Sequence, residues 1–134
     1  MTDQAAGDVV RRVYEALAAR DMALMESCFA ADAVWYVPGD SALSGEHRGW
    51  PEIRDKFFGR FLALSGGKVT NRLVDLCVGE RFVVAIQHAT GEHEGRALDL
   101  TACQVVQVRE GKVVEVRGHY FDTSALTAFF GGAV

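Results

Sequence analysis

At 134 residues, with 49% hydrophobic and 24% charged residues and only two prolines, the chain has the make-up of a single folded domain spanning 1–134, able to bury about two-thirds of its unfolded surface without metals or disulfides. A formal charge of -4, with Arg11-Arg12 as the longest basic run, excludes the clustered basic surface that nucleic acid or an anionic membrane requires. No apolar segment approaches the roughly 18–20 residues of a membrane span, and the N-terminal MTDQAAGD lacks the basic-then-apolar layout of a signal peptide, so a cytoplasmic protein is expected. Cys28, Cys77 and Cys103 are isolated in apolar surroundings without a C-x-x-C pattern, which predicts small buried hydrophobes rather than disulfides or metal ligands.

In chain order, Asp8 is placed to cap a helix whose apolar positions Val9, Val13, Ala16 and Leu17, joined by Val10 and Tyr14, recur at three- and four-residue spacing to about Ala19. After Arg20-Asp21 the pattern repeats from Met22 to Phe29, giving a helical hairpin that can cover a sheet. Ala33 to Val37 is rich in β-formers and ends at Pro38-Gly39. A polar loop, DSALSGEHRG, leads to Pro51, which suits the first turn of a helix. Its apolar stripe is Ile53, Phe57, Phe58, Phe61, Leu62 and Leu64, and Ser65-Gly66-Gly67 ends it. Four strands follow, Lys68 to Val78, Phe82 to Thr90, Ala97 to Arg109 and Lys112 to Phe121, with mainly short connections that make them antiparallel neighbours. Phe129 and Phe130 bring a short C-terminal turn back onto the body. The expected fold class is α+β: three helices of the N-terminal half closing one face of a strongly curved antiparallel sheet, with an apolar cone between them.

Alternation along the strands nominates the polar groups that point into such a cone. Phe82, Val84 and Ile86 share a face with His88 and Thr90. Leu98, Leu100, Ala102, Val106 and Val108 share one with Gln104. Val114, Val116, Gly118 and Tyr120 share one that ends at Asp122, opposite a mixed face of Val113, Glu115, Arg117, His119 and Phe121. A carboxylate closing an apolar stripe has two readings. It is either a pocket acid whose pKa burial raises toward neutrality, suited to acid/base work, or the N-cap of the following TSALTAFF. Asp99 and Arg96 are expected at the surface, His93 in a solvent-facing hairpin, and His47 beside Arg48 over the pocket mouth. The four histidines lie in different elements without metal-ligand spacing, and there is no G-x-S-x-G, P-loop or G-x-G-x-x-G, so no metal or cofactor is expected.

The order of elements, with FAADAVWYVPGDSALSGEHRG (Phe29 to Gly49), the helix opening WPEIRDKFF and the ending GKVVEVRGHYFD, resembles the SnoaL-like branch of the NTF2-like superfamily. These cone-shaped α+β domains include polyketide cyclases, ketosteroid isomerases and limonene epoxide hydrolases. In SnoaL-type cyclases an aspartate on the last strand is the acid/base of aldol closure, and the resemblance puts Asp122 there. Ketosteroid isomerases need a tyrosine and two carboxylic acids where this chain has Val13, Val37 and Gln104, with Tyr14 one position away, so steroid isomerisation is not expected. Limonene-type hydrolases join two aspartates through an arginine; Asp122 supplies one, while Asp99, Arg96 and Arg117 face the other way.

The resulting expectation is a cofactor-independent enzyme of the cyclase or isomerase class acting on an apolar, carbonyl-bearing small molecule. Asp122 and His88 are its catalytic candidates; Tyr120 and Gln104 orient the substrate, and Trp35, Val37, Phe57 and Phe61 form the wall. The alternatives are a non-catalytic binding or protein-interaction module of the same fold, and an epoxide-type hydrolase. The resemblance also implies a homodimer through the outer sheet face.

Overall fold

The computed structural model describes residues 3–133. Helix α1 (Asp3–Ala19) begins before the expected cap: Asp8 lies inside it, exposed on its solvent side. Gly7 lets this part of the helix pack closely on Val78, since a Cβ there would stand 3.1 Å from Val78 Cγ2. The buried stripe of α1 is Val9, Val10, Val13 and Ala16. Helix α2 (Met22–Ser27) is capped by Asp21, whose carboxylate accepts from the Leu24 N–H at 3.0 Å. It ends at Ser27, two residues short of the expected Phe29, with Cys28 as its C-cap. Phe29 instead opens strand β1 (Phe29–Val37), its ring 6.0 Å from that of Trp35 and 5.3 Å from that of Trp50.

Part of the expected loop is strand β2 (Gly45–Arg48), which pairs antiparallel with β1 and sets Trp35 opposite His47. Pro51 does sit in a first helical turn, α3 (Trp50–Glu52). The helical run then widens into a π-helical segment (Ile53–Gly59) before α4 (Arg60–Ser65), which ends at Gly66 in the left-handed conformation. Widening turns two consecutive aromatics, Phe57 and Phe58, into the core along with Ile53 and Phe61. Gly59 allows that winding, since a Cβ there would meet the Arg54 carbonyl at 3.1 Å.

Strands β3 (Val69–Val78), β4 (Val83–His93), β5 (Arg96–Arg109) and β6 (Lys112–Tyr120) run antiparallel in sequence, and α5 (Thr123–Phe130) closes the chain. The sheet order is β2-β1-β6-β5-β4-β3, with β1 and β6 parallel. Such a sheet, carrying α1 and the helical run on one face, is the expected α+β cone.

Two strand faces differ from expectation. On β4 the buried residues are Val83, Ala85, Gln87 and Ala89, so Val84, Ile86 and His88 point outward. On β6 an irregularity opposite Gln107 and Val108 breaks the alternation, burying Val113 rather than Val114 and restoring the expected face from Val116 on. Of the cysteines, Cys28 is buried, Cys103 half-buried and Cys77 exposed, so the expectation of burial fails for Cys77. No described helix is long and apolar enough to cross a membrane.

Candidate functional site

The space between α1, the helical run, α5 and the inner sheet face is a cavity. Its walls are apolar: Val13 and Leu17 from α1, Trp35 from β1, Phe57, Phe58 and Phe61 from the helical run, with Leu126 and Phe130 from α5 closing one end. Non-atom space amounts to about 630 Å³ including the open mouth.

Five polar side chains line it, Tyr14, Asn71, Gln87, Gln104 and Tyr120, and all are uncharged at neutral pH. Sheet register explains how they meet. Gln104 lies across from Gly118 on one side and Ala85 on the other, and Tyr120 lies across from Ala102. Gln104 and Tyr120 are thus diagonal neighbours on one face, where long side chains reach each other. Asn71 lies across from Ala89 and Gln87 from Ala102, which makes these two diagonal neighbours as well. Each of the four strand residues therefore has a glycine or alanine directly opposite on at least one side. At Gly118 the small size matters: a Cβ would stand 2.9 Å from Tyr120 Cε2 and 3.1 Å from Gln104 Oε1.

Two hydrogen-bonded sets result. Tyr14 Oη donates to Gln87 Oε1 at 2.5 Å, and Gln87 Nε2 donates to Asn71 Oδ1 at 3.4 Å. Gln104 Nε2 donates to Tyr120 Oη at 3.4 Å, leaving Gln104 Oε1 buried without a partner. Trp35 Nε1 is likewise buried and unpaired. A buried polar atom without a partner costs about 1–3 kcal/mol. Burial raises the pKa of Tyr14 well above the ordinary phenol value, with neighbouring Tyr120 and Cys103 adding to it. Burial also raises that of Tyr120, partly offset by the Gln104 hydrogen bond. Both phenols stay neutral throughout the physiological range.

Of the residues expected at the site, Gln104, Tyr120, Trp35, Phe57 and Phe61 line the cavity, while Val37 is buried elsewhere in the core. Both catalytic candidates lie outside it. Asp122 follows the end of β6 and caps α5, accepting from the Ser124 N–H at 3.0 Å and the Ser124 hydroxyl at 2.6 Å. Those hydrogen bonds stabilise the carboxylate and lower its pKa, the opposite of what a pocket acid needs. Among the described residues no arginine or second carboxylate bonds to it, which leaves the arrangement of an epoxide-type hydrolase without support. His88 sits on the outer face with its Nε2 2.5 Å from Asp99 Oδ1, because β4 presents the opposite face to the one alternation suggested.

The remaining polar residues sort by partner. Arg96 lies over the ring of Phe129 at 5.5 Å and 3.5 Å from Glu94. Arg117 pairs with Glu115 at 2.7 Å. His93 is not solvent-facing as expected: its side chain is 18% exposed and packs over Gly66, with Nδ1 buried. His47, rather than overhanging the mouth, is buried behind the wall. It stacks on Phe57 with ring centroids 5.8 Å apart and donates from Nε2 to the Leu43 carbonyl at 2.8 Å. Among the described residues no group of three or more His, Cys, Asp or Glu gathers where a metal ion could sit.

Tyr14, Gln87 and Asn71 are the site residues that sequence reasoning missed. For Tyr14 the signal was present, as it falls four residues after Val10 on the apolar stripe of α1.

The fold has counterparts in known proteins. An uncharacterized protein of Mycobacterium tuberculosis is 32% identical over 131 residues, 97% of this chain and 99% of the relative. The structure of Bal32a, from a soil-derived mobile gene cassette, superposes with a TM-score of 0.90 at 30% identity, covering 95% of this chain and 97% of that one. An NTF2-like protein from Burkholderia xenovorans superposes with a TM-score of 0.79 at 24% identity, covering 96% and 98%. With residues 10–116 matching the SnoaL-like domain as well, the chain belongs to the SnoaL-like family and has the NTF2-like fold.

Proposed function

We propose that this protein binds a neutral, flat, apolar small molecule carrying at least one oxygen group, held in the cavity between α1, the helical run and the sheet. One observation carries the reading: every polar side chain lining an otherwise aromatic and aliphatic cavity is uncharged. Such walls stack on a planar ring and hydrogen-bond its oxygens, and they leave an ionised group without a countercharge. Acid/base catalysis by Asp122 has no support in this geometry. Among the described residues the lining offers no base at neutral pH, since two of its polar groups are phenols of raised pKa and three are amides. What it can do chemically is polarise a carbonyl through Tyr120 and Gln104, so the binding-module alternative is the better supported one.

Calorimetric titration with 1-naphthol, 1-naphthoate and 1-naphthylmethylammonium at pH 7 tests this. The neutral probe should bind at least about 30-fold more tightly than either ion, an advantage of about 2 kcal/mol, and Asp122→Asn should bind it as the parent chain does. Equal affinity for naphthoate would refute the reading.

A further inference from the structure

Outside the cavity, α1 and β3 bound a second concavity. Arg11, Tyr14, Glu15 and Ala18 recur at three- and four-residue spacing and so form one stripe of α1. Facing them are residues 70–73 of β3, the edge strand of the sheet. The groove between them holds about 790 Å³ of non-atom space, counted with the solvent open above it. Tyr14 and Asn71 are its common boundary with the cavity, since they line both spaces. Charge separates the two. The polar groups lining the cavity are neutral, whereas the groove carries Arg11, Arg72 and Glu15.

The groove holds donors with nothing to bind. Elsewhere on the surface Arg48, Arg54, Arg96 and Arg117 each pair with a carboxylate. Among the described residues Arg11 and Arg72 have no ion-pair partner. Asn71 Oδ1 is taken by Gln87 Nε2, which fixes the sense of the amide, and among the described residues Asn71 Nδ2 has no acceptor. Two guanidinium groups and an amide N–H thus share the groove with one carboxylate, Glu15, and a positive charge is left over. A guanidinium holds a carboxylate through two parallel N–H···O bonds, and Tyr14, Ala18 and Leu73 give a short hydrocarbon chain apolar surface to lie on. We propose that this groove is a second binding site, for a small monocarboxylate. It goes beyond the cavity reading and takes the charge that the cavity refuses.

The experiment is a ¹H–¹⁵N NMR titration at pH 7 and low salt with butyrate and butyramide, which match in shape and differ in charge. Butyrate should bind at least about tenfold more tightly, shifting the Arg11 Nε–H and the backbone N–H of Ala18 while the indole of Trp35 stays still. The double variant Arg11→Gln, Arg72→Gln should lose that preference and keep its affinity for 1-naphthol. Arg109→Gln, which removes an equal charge at the β5–β6 turn, should keep the preference. Glu15→Gln should raise butyrate affinity about two- to threefold, since it removes a repelling charge. Butyrate binding no tighter than butyramide, shifts centred on Trp35, or an equal loss in Arg109→Gln would overturn the site. Because 1-naphthoate is also a carboxylate, its comparison with 1-naphthol is repeated on the double variant. Naphthoate matching naphthol there defeats the cavity reading and leaves the groove standing, while a failed butyrate titration leaves the cavity reading untouched.

Discussion

The two faces of the sheet treat polar residues in opposite ways. On the outer face His88 meets Asp99 and Arg117 meets Glu115, ionisable pairs at least partly in water. On the inner face stand Asn71, Gln87, Gln104 and Tyr120, with Tyr14 leaning in from α1. Strand β4 makes the contrast at adjacent positions: Gln87 turns to the cavity and His88 away from it. Keeping charge on the wet face and amides and phenols on the dry one lets the protein hold polar groups in its interior without the desolvation cost of an ion.

Substitutions can break or sharpen that contrast. Removing wall material should do the most damage: Trp35→Ala, which deletes an indole packed against Phe29, Phe57 and Phe58, should cost about 3–5 kcal/mol in urea unfolding. Placing a charge on the inner face should come next. Gln104→Glu should lose roughly 3 kcal/mol at pH 7 and much less at pH 4. Burial would raise the folded pKa of this carboxyl, so its protonated form is tolerated and stability is lost as pH rises through the unfolded value.

The phenols give a third test. Because the folded pKa values of Tyr14 and Tyr120 are raised, their contribution is complete below the unfolded value and is lost as pH climbs beyond it. Thermal stability should therefore fall above about pH 10, by about 1.4 kcal/mol per pH unit for each phenol, and Tyr14→Phe should flatten that slope. Smallest should be the outer face, where His88→Gln should change stability by less than about 1 kcal/mol and leave ligand affinity alone.

How much of this was legible in the sequence differs from element to element. The helices and the long strands follow from periodicity, and β5 was read with its correct inner face because Leu98, Leu100 and Ala102 alternate with the exposed Ala97, Asp99 and Thr101. Strand β4 was not, because it carries apolar residues on both sides: Val84 and Ile86 are half-buried outside while the smaller Ala85 and Ala89 are fully buried inside. Alternation has no way to choose a phase in such a strand. The four residues of β2 are too short a run to show a pattern, and their place comes from pairing with β1.

Asp122 illustrates a different limit. Its position two residues after Tyr120 fits the inner face of a continuing strand as well as it fits a cap, and what separates the two is where the strand stops. The chain turns at Phe121, which is left 79% exposed, and the carboxylate goes to the α5 amides. Tyr14 was visible on the α1 stripe, but its role depends on Gln87, 73 residues away, and no local pattern reports a contact at that range.

The most direct test of the central claim is a ¹H–¹⁵N NMR titration with 1-naphthol, following side-chain amide and indole signals. If the neutral inner face is the binding site, the amides of Gln87 and Gln104 and the indole N–H of Trp35 shift together, while the backbone N–H of Ser124 beside Asp122 stays still. Shifts centred on Ser124 or on the outer-face neighbours of His88, with Gln104 and Trp35 unmoved, would contradict the account.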